Sequence, residues 1–372
     1  MPIVAHCANP FLPLTTVWMY DQIRTLKHYQ PVVLTQMVQN RDLFPFDHVL
    51  SVESLPYWKR QGYRVLRKIW GTYAGYTPWL KEMDAVLIHA HFGQEGYRCL
   101  SAKQGAGLPM VTTFYGMDAS VLPRQKVWQK RFGRLFSEGD MFLAEGPCMA
   151  QRLVDIGCLP NKIVVQHIGV DLDRLPFVSP ALRNPDCPII LTYAAFREKK
   201  GLVYALRAFA KIVHNHPKAR LRMIGDGPLR QVLMAEMQAL QIANRVDMLG
   251  FLSHEAAVAE LKKAMILLYP SITAGDGDTE GGAPVALIEA LAVGTAVVSS
   301  LHADIPNVVP PGKCGLLFGE QDVDGLAEGL DALLTTETLR KDLAVVGRAH
   351  VEKQHHLLHQ AAKLEGLYDR LI

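Results

Sequence analysis

The chain is 372 residues long, with 49% apolar, 20% charged and 8% aromatic residues and a formal net charge of +3. At roughly 150 residues per domain this length fits two domains with sizeable cores, and the composition excludes a disordered, collagen-like or mucin-like chain. Residues 1–185 carry 20 Lys/Arg against 14 Asp/Glu, and residues 186–372 carry 19 against 22, so the first half suits an anionic neighbour but falls short of a nucleic-acid face.

In chain order, the N-terminal MPIVAHCANPF lacks the basic start and long apolar stretch of a secretory signal, so a cytoplasmic protein is expected. Its continuation, ANPFLPLTT, reads as a loop without the G-x-G of a glycine phosphate cradle; Thr15 and Thr16 can offer hydroxyls instead. Apolar runs rich in β-branched residues then alternate with helix-length segments: PVVLTQMV, DAVLIHAH, PMVTTF, DMFLAE and KIVVQH, followed by PIILTYA, ARLRMIG, RVDML, AMILLYP and TAVVS. This rhythm predicts parallel sheets covered on both faces. Four prolines in PFVSPALRNPDCP mark a hinge at 176–188. The expected architecture is therefore two doubly wound α/β domains facing across a cleft, 1–175 and 189–350. A closing amphipathic helix over 351–372, with Leu357, Ala361, Leu364, Tyr368 and Leu371 at helical spacing, packs back on the first domain.

No run reaches the roughly 18 apolar residues of a membrane-spanning helix. The six cysteines are scattered without a CxxC pair and read as reduced thiols. Metal-like patterns read otherwise: Asp276-Gly277-Asp278 as a turn, and His355, His356 and His359 as a solvated helix face, so no metal is expected. His91 ends a predicted strand, where α/β proteins bind ligands, and is either a ligand contact or a hydrogen-bonded strand-end histidine. Asp118, after Gly116, either caps a helix or holds an acceptor. In 57–70, Tyr57, Trp58, Tyr63 and Trp70 interleave with Lys59, Arg60, Arg64, Arg67 and Lys68, and 124–134 repeats the theme around Trp128. Such segments either meet an anionic membrane surface or form solvated helices with buried aromatics.

The most informative stretch is GDGDTEGGAPVALIEALAVGTAVVSS, 275–300. A glycine-rich loop precedes Pro284 at a helix start, so backbone N–H groups and the positive helix end can approach a diphosphate, while Glu280 and Glu289 can accept from sugar hydroxyls. This segment, with AFREKKGLVYALRAF (195–209), IGDGPLR (224–230), LGFLSHEAAVAELKKAMILLYPS (249–271) and GVDLDRL (169–175), resembles retaining glycosyltransferase family 4, of GT-B fold. HAHFG (89–93) and TTFYGMDAS (112–120) resemble its bacterial exopolysaccharide branch, including colanic acid enzymes.

The resemblance implies a metal-independent hexosyltransferase acting on a UDP- or GDP-sugar and a lipid-diphosphate-linked oligosaccharide. Such an enzyme works at the cytoplasmic membrane face, reached through 57–70 and 124–134. It places Glu280 on the transferred sugar, Glu289 on the ribose, and Gly281, Gly282, Ala283 and Pro284 against the donor. Phe251 and Leu252 line the base pocket, Lys200 with Arg197 neutralises the leaving phosphate, and His91, Tyr115, Asp118, Thr15 and Thr16 are acceptor-side candidates. The sequence departs from the family in three places: one extra residue between Glu280 and Glu289, Ala195 in place of an arginine that Arg197 replaces, and Tyr115 in place of histidine. A nucleotide-sugar-binding scaffold, or an epimerase or hydrolase on the same fold, is the alternative.

Overall fold

The N-terminal IVAHC is a strand at the middle of a sheet. The computed structural model describes the whole chain except Leu14, Thr15 and Ala283 and the side chains of Leu66 and Trp70, so two expected contact residues, Thr15 and Ala283, lie outside the described residues. The chain divides into two units, Met1–Gly169 with Leu357–Ile372, and Val170–His356.

In the first unit seven strands pair in parallel: β1 (Ile3–Cys7), β2 (Gln30–Thr35), β3 (Val49–Ser51), β4 (Ala85–His91), β5 (Met110–Phe114), β6 (Met141–Ala144) and β7 (Ile163–Val165), in the order β3-β2-β1-β4-β5-β6-β7. The strand alternation of side chains sends Ala5, Cys7, Ile88 and Ala90 into one core and Val4, Leu87 and Val111 into the other. That second core is closed by the helix Leu357–Asp369, whose Leu364, Leu367 and Tyr368 are buried against Val4, Leu87 and Leu143. Full burial of each such side chain contributes about 1.5–3 kcal/mol. Polar contacts set the helix position: Glu365 accepts the N–H groups of Lys27 and His28, each at 2.6 Å, and the Tyr29 hydroxyl donates to Asp369 at 2.6 Å.

The second unit holds β8 (Ile189–Tyr193), β9 (Arg220–Ile224), β10 (Val246–Gly250), β11 (Ile266–Tyr269), β12 (Ala296–Ser300) and β13 (Leu316–Phe318), parallel in the order β10-β9-β8-β11-β12-β13. Both units are thus doubly wound parallel α/β domains, as the sequence predicts. Leu202–Ile212 and Val323–Thr335 pack together and bury Leu206, Phe209, Leu326 and Leu330 in one core.

Three boundaries differ from the sequence expectation. The chain passes between units at 169/170, and the proline-rich 176–188 lies within the second unit rather than joining two. Its Val178 N–H donates to the Val293 carbonyl at 3.1 Å, and buried Arg183 donates to the carbonyls of Gly294 (2.6 Å) and Val293 (3.3 Å) and to the Thr295 hydroxyl (3.1 Å). A cation at the end of helix Val285–Ala292 satisfies carbonyls that the helix leaves open. The closing helix is also not continuous. Glu337–Gln354 ends inside the second unit, and the break at His355 and His356 is held by the Val170 N–H, which donates to the His355 carbonyl at 2.8 Å. His355 is buried rather than solvated, because it sits at this break and not on a helix face.

Candidate active site

Strand order in the second sheet reverses between β8 and β11, and ligands of open α/β sheets bind beyond the carboxyl ends of strands at such a point. After β8 the chain turns at Glu198–Lys200 and is closed by Gly201 at φ 62°, where a Cβ would lie 1.8 Å from the Pro270 carbonyl oxygen. Glycine alone allows this approach of the loops that follow β8 and β11. It sets Lys200 against Glu280: Lys200 Nζ donates to both carboxylate oxygens, at 2.7 and 2.8 Å, and to the Tyr269 hydroxyl at 2.7 Å. The ammonium also lies 5.2 Å from the Tyr269 ring centre. The Ser271 hydroxyl donates to Glu280 Oε1 at 2.8 Å.

Glu280 is 5% exposed. Burial alone would raise its pKa, but the charges of Lys200 and Lys199 and the hydrogen bonds outweigh it and hold the carboxyl below the usual range. Lys199 pairs with Asp278 at 3.1 Å and donates to the Thr279 carbonyl, while Glu198 accepts the Gly275 N–H at 2.9 Å. Asp276 accepts the Asp278 N–H at 2.8 Å, a turn contact. His302 Nε2 accepts the Glu280 N–H at 3.1 Å, and its Nδ1 meets Glu320 at 2.6 Å.

Glu289 is buried in the helix Val285–Ala292, and its Oε1 lies 2.6 Å from His254 Nε2. Gly281, Gly282 and Pro284 are buried at the start of that helix. Arg197 is exposed, and its side chain makes no hydrogen bond or ion pair among the described residues, in contrast to Lys200. Phe251 is 66% exposed beyond β10 and Leu252 is half-buried. The glycines of IGDGPLR answer to close packing, since a Cβ on Gly225 would lie 2.0 Å from the Ala194 carbonyl oxygen.

Sequence reasoning singled out Lys200, Glu280 and Glu289 but not Lys199, Tyr269, Ser271, His302, Glu320 or His254. The Glu-Lys-Lys run beside the acidic loop was the available signal for Lys199. The others depend on which loops the sheet order brings together.

In the first unit the strand order reverses between β1 and β4. His6 faces His89 across these strands, and His91 follows at the end of β4. His91 is buried, with Nε2 3.0 Å from His6 Nδ1 and Nδ1 2.7 Å from the Tyr115 hydroxyl. His89 lies 2.6 Å from the Tyr368 hydroxyl and 2.7 Å from that of Thr113. Burial pushes the His6 imidazole down to about 3 and those of His89 and His91 well below the ordinary value, so the three rings are neutral. The sequence reading missed His6 and His89. These residues are the group, among the described residues, gathered closely enough to hold a metal ion. Five of their six ring nitrogens already have partners, which makes the cluster a hydrogen-bonded layer rather than an open ligand set.

Asp118 is buried and accepts the N–H groups of Gly93 (2.8 Å), Gly116 (2.8 Å) and Tyr115 (3.1 Å), tying two strand-end loops together. Thr16 donates to the Pro13 carbonyl at 3.1 Å. Tyr115 packs beside Trp18 and Phe92, with ring centres 4.5 and 4.8 Å away.

The helix Tyr57–Trp70 lies on the surface of this unit. Trp58, Val65 and Ile69, 69%, 54% and 70% exposed, share a stripe flanked by Lys59 and Lys68, with Arg64 and Arg67 further round the helix. Tyr63 instead donates to the Gly75 carbonyl and stacks on Trp79. The second basic segment takes the other of its two expected forms: Trp128 is buried against Phe132 under the Arg131 guanidinium, so it offers no aromatic ring to a membrane surface. Among the described residues no helix is long and apolar enough to cross a membrane.

The sequence profile described as Glycosyltransferase Family 4 matches residues 22–174, and the one described as Glycosyl transferases group 1 matches 178–350. The chain belongs to glycosyltransferase family 4. A relative named as the colanic acid biosynthesis glycosyltransferase WcaL of Escherichia coli K12 is 35% identical over 74% of this chain and 68% of its own length. Its namesake in Salmonella typhimurium LT2 is 36% identical over 66% and 61%. The family 4 chain thus spans about two thirds of the length of these relatives. Among solved structures, the sucrose-phosphate synthase of Thermosynechococcus elongatus superposes with a TM-score of 0.82 at 18% identity, covering 100% of this chain and 99% of its own. HepE of Anabaena, solved with UDP-glucose, gives 0.80 at 16% identity and covers both chains fully. At these identities the structural likeness establishes the GT-B fold.

Proposed function

We propose that this chain transfers a hexose from a UDP- or GDP-sugar to a lipid-diphosphate-linked oligosaccharide in exopolysaccharide assembly, with retention and without a bound metal. The observation that carries the reading is the Lys200–Glu280–Tyr269 cluster at the reversal of the second sheet, beside the helix that starts at Val285. Likeness to WcaL, which is named for colanic acid biosynthesis, supports the pathway class. HepE, solved with UDP-glucose, supports the donor class.

In this reading the sugar–phosphate bond breaks with charge growing on the diphosphate, and stabilising that charge is the main catalytic demand. Lys200 supplies a fixed ammonium, and the N–H groups at the helix start supply dipoles. Glu280, ionised and buried, faces the sugar as it becomes oxocarbenium-like. Glu289, now met by His254, accepts from the ribose. Arg197, free at the surface, closes on the diphosphate in place of the family's arginine at position 195. The acceptor hydroxyl then attacks from the face that the diphosphate leaves, and its proton passes to the departing phosphate oxygen. The carboxylates nearest the donor are committed to Lys199, Lys200 or their own turn, which leaves little for a cation to bind.

The membrane part of the reading rests on 57–70, where an apolar stripe is flanked by basic residues on an exposed helix. Acceptors of this class sit at a membrane surface, and peripheral binding there would raise encounter with them.

The test is transfer of labelled sugar from a panel of UDP- and GDP-sugars to a lipid-diphosphate-linked acceptor, with and without EDTA. Acceptor-dependent product of unchanged anomeric configuration, indifferent to EDTA, is expected. Donor consumption without acceptor points to a hydrolase or epimerase, and binding without turnover to a scaffold. An EDTA-sensitive reaction restored by metal overturns the metal-free reading.

A further inference from the structure

The loop 271–282 carries Glu280, and two of its backbone N–H groups are held from outside the loop by one pair of side chains. His302, just past β12 and 2% exposed, accepts the Glu280 N–H at Nε2. Glu320, just past β13, accepts the Thr273 N–H at 2.7 Å and meets His302 Nδ1 at 2.6 Å. The pair therefore grips the loop near its start and at the residue that faces the sugar.

Hydrogen-bond direction fixes the tautomer. An amide N–H only donates, so His302 Nε2 must present its lone pair; the ring proton then lies on Nδ1 and is donated to Glu320. Glu320 suits this role. Burial would raise its pKa, but the hydrogen bonds from His302 and Thr273 outweigh that and keep it ionised. The arrangement has the form of an orienting carboxylate, a neutral imidazole and a held group, here a backbone amide rather than a nucleophile.

We propose that His302, oriented by Glu320, is a positioning residue for sugar transfer: it holds the Glu280 main chain so that the carboxylate stays on Lys200 and Ser271 and in register with the donor. The inference rests on the reading of Glu280 as the residue facing the transferred sugar.

The experiment compares His302→Leu, His302→Gln and Glu320→Ala with wild type by steady-state kinetics and by hydrogen exchange at the Glu280 amide. Leucine fills space without accepting a hydrogen bond, whereas the glutamine amide can accept from Glu280 and donate to Glu320. His302→Leu should lower kcat by about tenfold or more, the scale of a misplaced catalytic group, with donor KM within about threefold. His302→Gln should recover most of the loss. Exchange at Glu280 should quicken in the leucine variant and stay slow in the glutamine variant. Glu320, whose side chain is 32% exposed, tolerates truncation, so Glu320→Ala provides a folded variant with a smaller kcat loss of the same kind. Wild-type kcat in His302→Leu, or in Glu320→Ala if the leucine variant fails to fold, overturns the proposal. Equal losses in leucine and glutamine variants, or unchanged exchange, overturn it too. Wild-type protein that binds nucleotide but transfers nothing defeats the functional reading, and the exchange arm then still decides whether His302 holds Glu280.

Discussion

The two sheet reversals of this molecule are alike in topology and opposite in electrostatics. In the second unit the strand ends hold Lys200 against Glu280, Lys199 against Asp278 and an ionised Glu320 behind His302. In the first unit the corresponding place holds His6, His89 and His91, all buried and neutral, bonded to the hydroxyls of Tyr115, Tyr368 and Thr113. Chain path alone does not decide chemistry. One reversal concentrates charge, and the other is a neutral layer whose hydroxyl and imidazole groups bond to one another.

The sharpest way to break this contrast is to remove charge from the second unit. Glu280→Gln and Lys200→Ala should each lower kcat by about tenfold to a thousandfold, the range for losing a group aimed at developing charge. Lys200→Ala also leaves Glu280 buried without its partner, a loss of about 3–5 kcal/mol, so turnover must be compared in protein shown to be folded. Near-wild-type turnover in either variant would remove these residues from the reaction.

The next effect separates the units by pH. Each buried neutral histidine of the first unit binds a proton in the unfolded chain near pH 6.5 but not in the folded one, where His6 is down at about 3. Stability of the first unit should therefore fall as pH drops below about 6.5. Glu280 and Glu320 have lowered values, so their contribution is complete above the ordinary carboxylate pKa of 4.5 and is lost only as pH falls below it. Amide exchange at pH 5.5 should show the first unit loosened and the second intact. Loosening of both units together only near pH 4 would contradict the contrast.

A smaller effect is expected from Tyr115→Phe. Removing the hydroxyl leaves buried His91 Nδ1 without its partner, which costs about 1–3 kcal/mol, while affinity for UDP or GDP should stay unchanged, since the proposed function assigns that binding to the other unit. A loss of nucleotide affinity in this variant would refute the division of labour. The smallest change in turnover is expected from replacing Lys59, Arg60, Arg64, Arg67 and Lys68 by Gln. Flotation with anionic vesicles should weaken while turnover on a soluble acceptor is kept. Unchanged flotation would remove the membrane reading.

Much of this organisation is legible in the sequence, because the apolar strands and the 275–300 segment carry their signals locally. The apolar runs such as DAVLIHAH and AMILLYP need no distant partner to be recognised, and the glycine-rich loop before Val285 announces a helix start. β1 escaped because its five residues include His6 and Cys7 and have no alternation, though the sheet buries both. The prolines of 176–188 are real breaks in regular structure, but whether a break is a joint depends on Arg183 finding the end of a helix more than a hundred residues away. The basic neighbours of Trp128 fit either a surface ring or a buried one, and Phe132 and Arg131, packed against it, decide for burial. His302 and Glu320 matter only through loops that β12 and β13 bring beside β11, a consequence of strand order that no local pattern contains.

The most direct test of the central claim, that the charged reversal of the second unit is a nucleotide-sugar site, is a thermal-shift titration. Wild type, Glu280→Gln and Tyr115→Phe would be titrated with UDP, GDP and their hexose conjugates. Ligand at 100 times its Kd stabilises by about 2.7 kcal/mol, enough to raise Tm visibly. The account predicts a rise for wild type and Tyr115→Phe with one base, and a sugar-dependent part of that rise that is lost in Glu280→Gln. No shift with any nucleotide, or a shift abolished by Tyr115→Phe and kept in full by Glu280→Gln, would contradict it.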